Sequence, residues 1–348
     1  MTTATRPPKR SWTLTVRAGG LSARLAVRGM IVNAGLLAVA VAAAVLAIGT
    51  GEYAVPIPDV IAVLTGGGDP AARFIVGELR VPRVVTGLLV GAAFGISGAL
   101  FQSLTRNPLG SPDFLGFSAG AATGGIIATI MGGTGWFIAG GSLLGCAVSA
   151  TAVYVLAYRR GVHGYRMVLV GVGMSAILVS LESYLLTRAN INDAATAAAW
   201  ITGSLGGRGW EHAVPVACAL AVLVPLCVPL ARPLRMMEMG DDIAGAVGIP
   251  VERVRLAAVA VGVALCAVAT AAAGPIAFVA LTAPQLARRL AGSPGVTIAS
   301  SALMGAALLV VADLAAQRVM APVELPVGVM TSALGGTYLA FLLRKERR

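Results

Sequence analysis

VVTGLLVGAAFGISGALFQSL, residues 84–104, runs for 21 residues without a charged side chain. A helix crossing the hydrocarbon of a bilayer needs about 20 predominantly apolar residues, and this stretch meets that length. Its glycines and alanines suit the same setting, because small side chains let membrane helices approach closely where packing replaces the hydrophobic effect. Similar runs recur along the chain, as in GFSAGAATGG at 116–125. Apolar runs and their breakers predict ten crossings, near 31–50, 84–104, 117–131, 136–157, 167–186, 212–230, 256–273, 276–290, 297–316 and 327–343. The third and eighth are short.

Composition agrees with that reading. The 348 residues are 57% hydrophobic and only 12% charged, with 44 glycines, and the mean hydropathy is +0.86. A soluble domain carries about 25% charged residues, so a water-soluble globular enzyme and a disordered chain are both excluded. In lipid only helices and closed barrels satisfy every backbone group. The apolar runs are continuous rather than alternating, which argues against a barrel. The expectation is an all-α polytopic membrane protein. One ten-helix transmembrane domain would cover 31–343, with a basic arm over 1–30 and a basic tail over 344–348.

The net charge of +11 follows from orientation. With the N-terminus inside, 20 of the 26 basic residues fall on inner segments, and only Arg73, Arg80, Arg83, Arg188, Arg208 and Arg318 fall outside. Lys and Arg concentrate in cytoplasmic loops, so both termini are expected in the cytoplasm. An odd number of crossings would put one basic terminus outside, so ten fits better than nine or eleven. The basic excess reads as topology and attraction to anionic lipid headgroups, not as nucleic-acid binding. The apolar run after residue 30 is long enough to be an uncleaved first crossing rather than a signal peptide.

Little in the chain suits bond chemistry. Gly95-Ile96-Ser97-Gly98 and Gly116-Phe117-Ser118-Ala119-Gly120 have the form of serine-nucleophile motifs. A serine needs a base, and the only histidines, His163 and His212, fall at membrane edges on opposite sides. A phosphate-binding loop needs Gly-Lys-[Ser/Thr]. The only lysines, Lys9 and Lys345, follow Pro8 and Arg344. Any ATP-driven function must therefore borrow its motor from another chain. Cys146, Cys218, Cys227 and Cys266 lie in crossings without metal-ligand spacing and read as small packing residues. No catalytic residue, metal site or bound cofactor is expected. Glu182 and Asp313 are the intramembrane carboxylates. Such groups suggest ion coupling by default, but both lie near the outer surface and Asp313 is close in sequence to Arg318, which favours structural pairing.

Two charged features leave a choice open. Arg80 and Arg83 flank Pro82 before the second crossing, and Arg318 follows the ninth. They are either snorkelling anchors or a basic ring for acidic residues of an extracytoplasmic partner. On the inner side, Gly240-Asp241-Asp242-Ile243-Ala244-Gly245-Ala246-Val247-Gly248 reads as a short helix, with Asp241 as N-cap, Gly248 as left-handed stop and Pro250 blocking continuation. It is either a plain loop helix or a projection for a groove on a cytoplasmic protein.

The run Leu79-Arg80-Val81-Pro82-Arg83, then Gly98-Ala99-Leu100-Phe101-Gln102 and Arg106-Asn107-Pro108-Leu109-Gly110-Ser111-Pro112, resembles the FecCD/BtuC-type permeases. The likeness continues through Trp200–Leu205, Gly240-Asp241-Asp242, Gly274–Val279 and Glu324-Leu325-Pro326-Val327-Gly328. The family implies a type II ABC importer permease fold with ten crossings, in the plasma (inner) membrane of a bacterium. It implies a second homologous permease subunit, two cytoplasmic ATPases carrying ATP and Mg, and an extracytoplasmic substrate-binding lipoprotein. Phe101–Asp113 and Ala283–Arg289, with Gln285 where the family often has His, narrow the cargo towards a ferric siderophore. Vitamin B12 or haem remains the alternative within the family, and a proton-coupled carrier a more remote one. By the same resemblance Arg80, Arg83 and Arg318 would contact carboxylates of the binding protein, and Gly240–Gly248 would couple to the ATPase. Gly164 and Tyr165 fall where relatives have a cytoplasmic gate of small polar residues, a pattern from which Tyr165 departs.

Overall fold

The computed structural model describes residues 13–18, 21–51, 55–158, 164–293, 295, 297–321 and 323–346. His163, Lys9 and the outermost parts of the arm and tail lie outside the described residues. Within the arm, β1 (Thr13–Ala18) and β2 (Leu21–Ala26) pair antiparallel, with Thr13 opposite Ala26 and Ala18 opposite Leu21. Hydropathy predicts no regular structure there. The alternation in TLTVRA, however, has the period of a strand.

The remainder is helical. α1 (Val27–Gly49) starts at 27 rather than 31. After α2 (Ile57–Leu64) comes α3 (Pro70–Arg73), capped by Asp69, whose side chain accepts the Ala71 N–H at 3.2 Å. It runs through a π-helical segment (Phe74–Arg80) into α4 (Val81–Thr105), so the chain forms one helix from Pro70 to Thr105 where only 84–104 is expected. The π segment has a local cause. Pro82 has no N–H to donate and its ring crowds the carbonyl four residues back. The helix widens, and the Val81 N–H bonds the Val76 carbonyl, five residues back.

Then follow α5 (Phe117–Ile130), α6 (Trp136–Ala157), α7 (Gly164–Arg188), α8 (Ile191–Ile201), α9 (Trp210–Met237), α10 (Asp241–Ala246), α11 (Val251–Ala273), α12 (Val279–Ala291), α13 (Ile298–Val319) and α14 (Val327–Glu346). Among the described residues seven helices are long and apolar enough to cross a membrane: α1, the Pro70–Thr105 helix, α6, α7, α9, α11 and α13. The three other expected crossings coincide with the shorter helices α5 and α12 and with α14. α9 continues to Met237, well past the expected end at 230, with Pro215, Pro225, Pro229 and Pro233 inside it. In lipid, an irregular backbone would cost more than the few hydrogen bonds these prolines remove.

α4 forms the centre. Of its apolar window 78% is buried, against 6% for α7, so α4 is the hub and α7 is left uncovered by its own chain. Around α4 pack α13, α11, α9 and α12, while α5 makes a second centre with α6, α7 and α11. Small residues set the spacing. A Cβ added at Gly91 would collide with the Gly305 carbonyl, and one at Gly98 with the Ala280 carbonyl. Phe101 fills the remaining space, its ring 5.2 Å from that of Phe117.

A Gly98→Ala substitution should therefore force α4 and α12 apart and cost about 1–3 kcal/mol. Thermal midpoints read by fluorescence-detected size exclusion should fall, whereas Gly140→Ala on α6, where a Cβ meets open space, should leave them unchanged.

Candidate docking, coupling and gating sites

The N-terminal end of α4, expected to face outward, carries a buried ion pair. Arg83 donates from Nε to Asp313 Oδ2 and from Nη2 to Asp313 Oδ1, both at 3.0 Å, a two-pronged grip across 230 residues of sequence. Its third donor, Nη1, reaches Glu324 Oε2 at 2.9 Å. Gln317 Nε2 adds a bond to Asp313 Oδ2 at 2.8 Å. The side chains of Arg83 and Asp313 are 15% and 4% exposed, and that of Glu324 is 52% exposed. Asp313 thus pairs with Arg83 and not with Arg318, its neighbour in sequence. Residues five apart on a helix point in different directions, so the chain brings its partner from another helix.

The other two arginines of the expected docking trio lie closer to solvent. Arg80 is half-buried and donates to the Ile48 carbonyl at 2.8 Å, packing its guanidinium over Gly51. Arg318 is exposed in the last turn of α13. Arg80, Arg83, Arg208, Glu78, Gln317 and Glu324 line a recess of ≈ 580 Å³. Of the expected outer trio, Arg83 is thus committed within the chain. Arg208 is an outer arginine whose sequence context gives it no role.

The C-terminal end of α4, expected to face inward, carries a second cluster. Arg106 follows α4 with a left-handed backbone (φ 52°), which ends the helix and turns its side chain toward α10. Arg106 Nη2 meets Asp241 Oδ1 at 3.1 Å, and Arg255 Nη2 meets Asp241 Oδ2 at 2.7 Å. Arg255, almost fully buried near the start of α11, also pairs with Glu252. One turn earlier in α4, Ser103 Oγ donates to Glu238 Oε1 at 3.0 Å. Asp241 is expected to cap α10. Instead Gly240 (φ 127°) takes the cap position, and the Asp241 side chain is drawn away by the two arginines. Charge-assisted bonds to two guanidiniums outweigh one backbone N–H. Gly248 adopts φ 85° after the helix. Ala244 is buried against the body, while Asp242, Ile243, Gly245, Ala246 and Val247 face outward.

At the start of α7, Gly164 lies against Thr105, where a Cβ would stand 2.7 Å from the Thr105 Cα, and Tyr165 is 78% exposed. Gln285 Nε2 donates to the Pro108 carbonyl at 2.7 Å, tying α12 to the loop after α4. Farther along α7, Val172, Ser175, Ala176 and Val179 line an open recess of ≈ 570 Å³ with Asp113 and Phe278. Asp113 accepts from Ser118 Oγ at 2.6 Å and from the Phe278 backbone N–H. Sequence reasoning misses this carboxylate, because nothing local marks it as buried. Ser97 and Ser118 bond the Gly262 carbonyl and Asp113, and Glu182 accepts from Thr123 Oγ1 at 3.1 Å.

A core of long apolar helices makes the chain a multi-pass membrane protein, and it belongs to the FecCD transport family, matched over residues 22–345. It is 43% identical over 314 residues to the ferric enterobactin transport system permease protein FepG of Escherichia coli (strain K12), covering 90% of this chain and 95% of FepG. It is 36% identical over 318 residues to the achromobactin transport system permease protein CbrC of Dickeya dadantii (strain 3937), covering 89% and 90%. The fold matches a metal-chelate type ABC transporter in an inward-facing conformation, with a TM-score of 0.79 at 23% identity, over 91% of this chain and 99% of that one. The chain is a multi-pass protein of the bacterial plasma (inner) membrane and is not itself an enzyme.

Removing Asp313 leaves the mostly buried Arg83 guanidinium with only the half-exposed Glu324 as counter-charge, and breaking a buried pair typically costs about 3–5 kcal/mol. Asp313→Ala should accordingly lower the yield of folded protein and its thermal midpoint far more than Glu324→Ala, whose carboxylate is half exposed. Circular dichroism melts in detergent would read the difference.

Proposed function

We propose that this chain is one of two different permease subunits of an ATP-driven importer for a ferric siderophore. It crosses the membrane ten times with both termini in the cytoplasm, and it receives its cargo from an extracytoplasmic binding lipoprotein. Two partner ATPases, holding ATP and Mg, drive alternating access. The ten-crossing reading is supported by seven long apolar helices, three shorter ones at the expected places, and basic residues concentrated on the inner segments. The relative at 43% identity, a ferric enterobactin permease, supports an iron chelate as cargo.

The observation that carries the mechanism is that one rigid helix serves both ends. From Arg83 to Arg106, α4 spans about 35 Å at 1.5 Å per residue. Its outer end lies beside the recess lined by Arg80 and Arg83, and its inner end holds α10 through Arg106 and Asp241. Arg80, Arg83 and Arg318 dock the acidic lobes of the binding protein, with Arg83 also serving as strut. Residues 240–248 dock on the ATPase, presenting Ile243 and Val247 while Asp241 transmits their displacement to α4 and α11. Gly164, packed on Thr105, lets the start of α7 move against the inner end of α4 as part of the gate, beside Tyr165. The uncovered face of α7 supplies one wall of the translocation path, and the second permease the other.

Three results test this reading. Proteoliposomes holding both permeases and the ATPases should take up a ferric siderophore only with ATP and binding protein; uptake by this chain alone on a proton gradient would overturn it. Charge reversal at Arg80 and Arg318 should weaken binding-protein affinity about tenfold or more, as removal of complementary charge pairs does. Asp241→Asn should preserve ATPase binding but reduce transport per ATP hydrolysed, and an unchanged ratio would remove Asp241 from the coupling path.

A further inference from the structure

We propose that Glu324 is an exchangeable counter-ion that occupies the outward donor of Arg83 until an acidic residue of the docking protein displaces it. The inference rests on the docking reading above and assigns a role to a carboxylate that reading leaves unused.

The three donor nitrogens of Arg83 are not equivalent. Nε and Nη2 grip Asp313, whose side chain is only 4% exposed and is held further by Gln317, so that pair is largely desolvated and fixed in place. Nη1 faces outward to Glu324, whose side chain is 52% exposed. On the Glu324 side the contact is half exposed, so water and ions screen it and the carboxylate is well solvated when it leaves, while Asp313 keeps the Arg83 charge paired. Swapping one carboxylate for another at Nη1 therefore changes little in the inner pair. The backbone permits the swap as well. Glu324 lies between α13 and α14, where its neighbours are held independently: Leu325 N–H bonds the Ala316 carbonyl at 3.2 Å, and Gly328 N–H bonds the Gly203 carbonyl at 3.1 Å. The side chain can turn away while the chain stays in place.

The surroundings favour an incoming carboxylate. Arg83 and Glu324 line one recess together with Arg80 and Arg208, and Arg80 stands near enough to Arg318 for their charges to repel. An approaching protein with surface carboxylates is attracted by this group as a whole, and it meets at Arg83 a donor occupied by a ligand of its own chemistry. Glu324 then acts as a competitor built into the receptor. It keeps Arg83 satisfied while the surface is empty, lowers affinity for the docked protein, and speeds its release after delivery.

The test titrates binding protein onto the complete transporter in nanodiscs, comparing the native chain with Glu324→Gln, Arg83→Lys, the double variant and Glu78→Gln. Glutamine keeps the shape of Glu324 but competes poorly for a guanidinium, so E324Q should tighten binding about two- to fivefold, mainly through slower release. Lysine retains the charge facing Asp313 but lacks the planar fork that engages two carboxylates at once. In the R83K background, E324Q should therefore give no further gain. E78Q removes the same charge from the same recess and should not reproduce the effect. Unchanged or weaker binding by E324Q would overturn the exchange, as would equal tightening in R83K or an equal gain from E78Q, either of which would mark a general field effect. If charge reversal at Arg318 leaves affinity untouched, the docking reading itself falls; if that reversal weakens binding while E324Q has no effect, only the exchange falls.

Discussion

Close backbone contact around α4 is the constraint on which the rest of this molecule depends. In a bilayer there is no water to drive apolar helices together, so dispersion and shape must hold them. Gly91 against Gly305 and Gly98 against Ala280 bring backbones together at distances no larger residue would permit. That contact seats α4 between α13 and α12 and buries most of it.

The charged residues extend this argument. Most of the chain's few ionisable side chains lie at the ends of the helices, where water or a partner charge can reach them. Two clusters there are also partly buried and internally paired: Arg83 with Asp313 and Glu324 at the N-terminal end of α4, and Arg255 and Arg106 with Asp241 at its C-terminal end. Buried ion pairs add little to stability over apolar packing, but they are costly to break and they define geometry. Here they join helices distant in sequence at the two ends of α4. Asp241 is the clearest case. Two arginines from different helices hold its carboxylate, and the short helix α10 is oriented by that grip while Ile243 and Val247 remain exposed.

Much of this architecture is legible in the order of residues. The apolar runs mark the helices that form the core, and the proline, glycine and aspartate pattern at 240–250 marks a short helix at the position of α10. Boundaries are less legible for a physical reason. Hydropathy reports where a helix enters lipid and not where it ends, so the extension of the α4 helix back to Pro70 and of α9 on to Met237 is invisible to it. The hairpin at 13–26 escapes notice because its alternating pattern is short and interrupted by arginines. Side-chain roles are harder still. Asp241 carries the residue type of a helix cap, and only the presence of Arg106 and Arg255 beside it diverts the carboxylate.

The amino-acid sequence by itself determined that the chain is a bundle of membrane helices, because hydropathy and glycine content are local properties that survive without knowledge of neighbours. It also pointed to an orientation, because the bias of Lys and Arg needs only the order of segments. Tertiary structure alone decided the pairings. Asp313 looks toward Arg83 rather than Arg318, and Asp113 is enclosed by Ser118 and Phe278. An ion pair depends on distance and burial, and both are set by helices brought together from hundreds of residues apart.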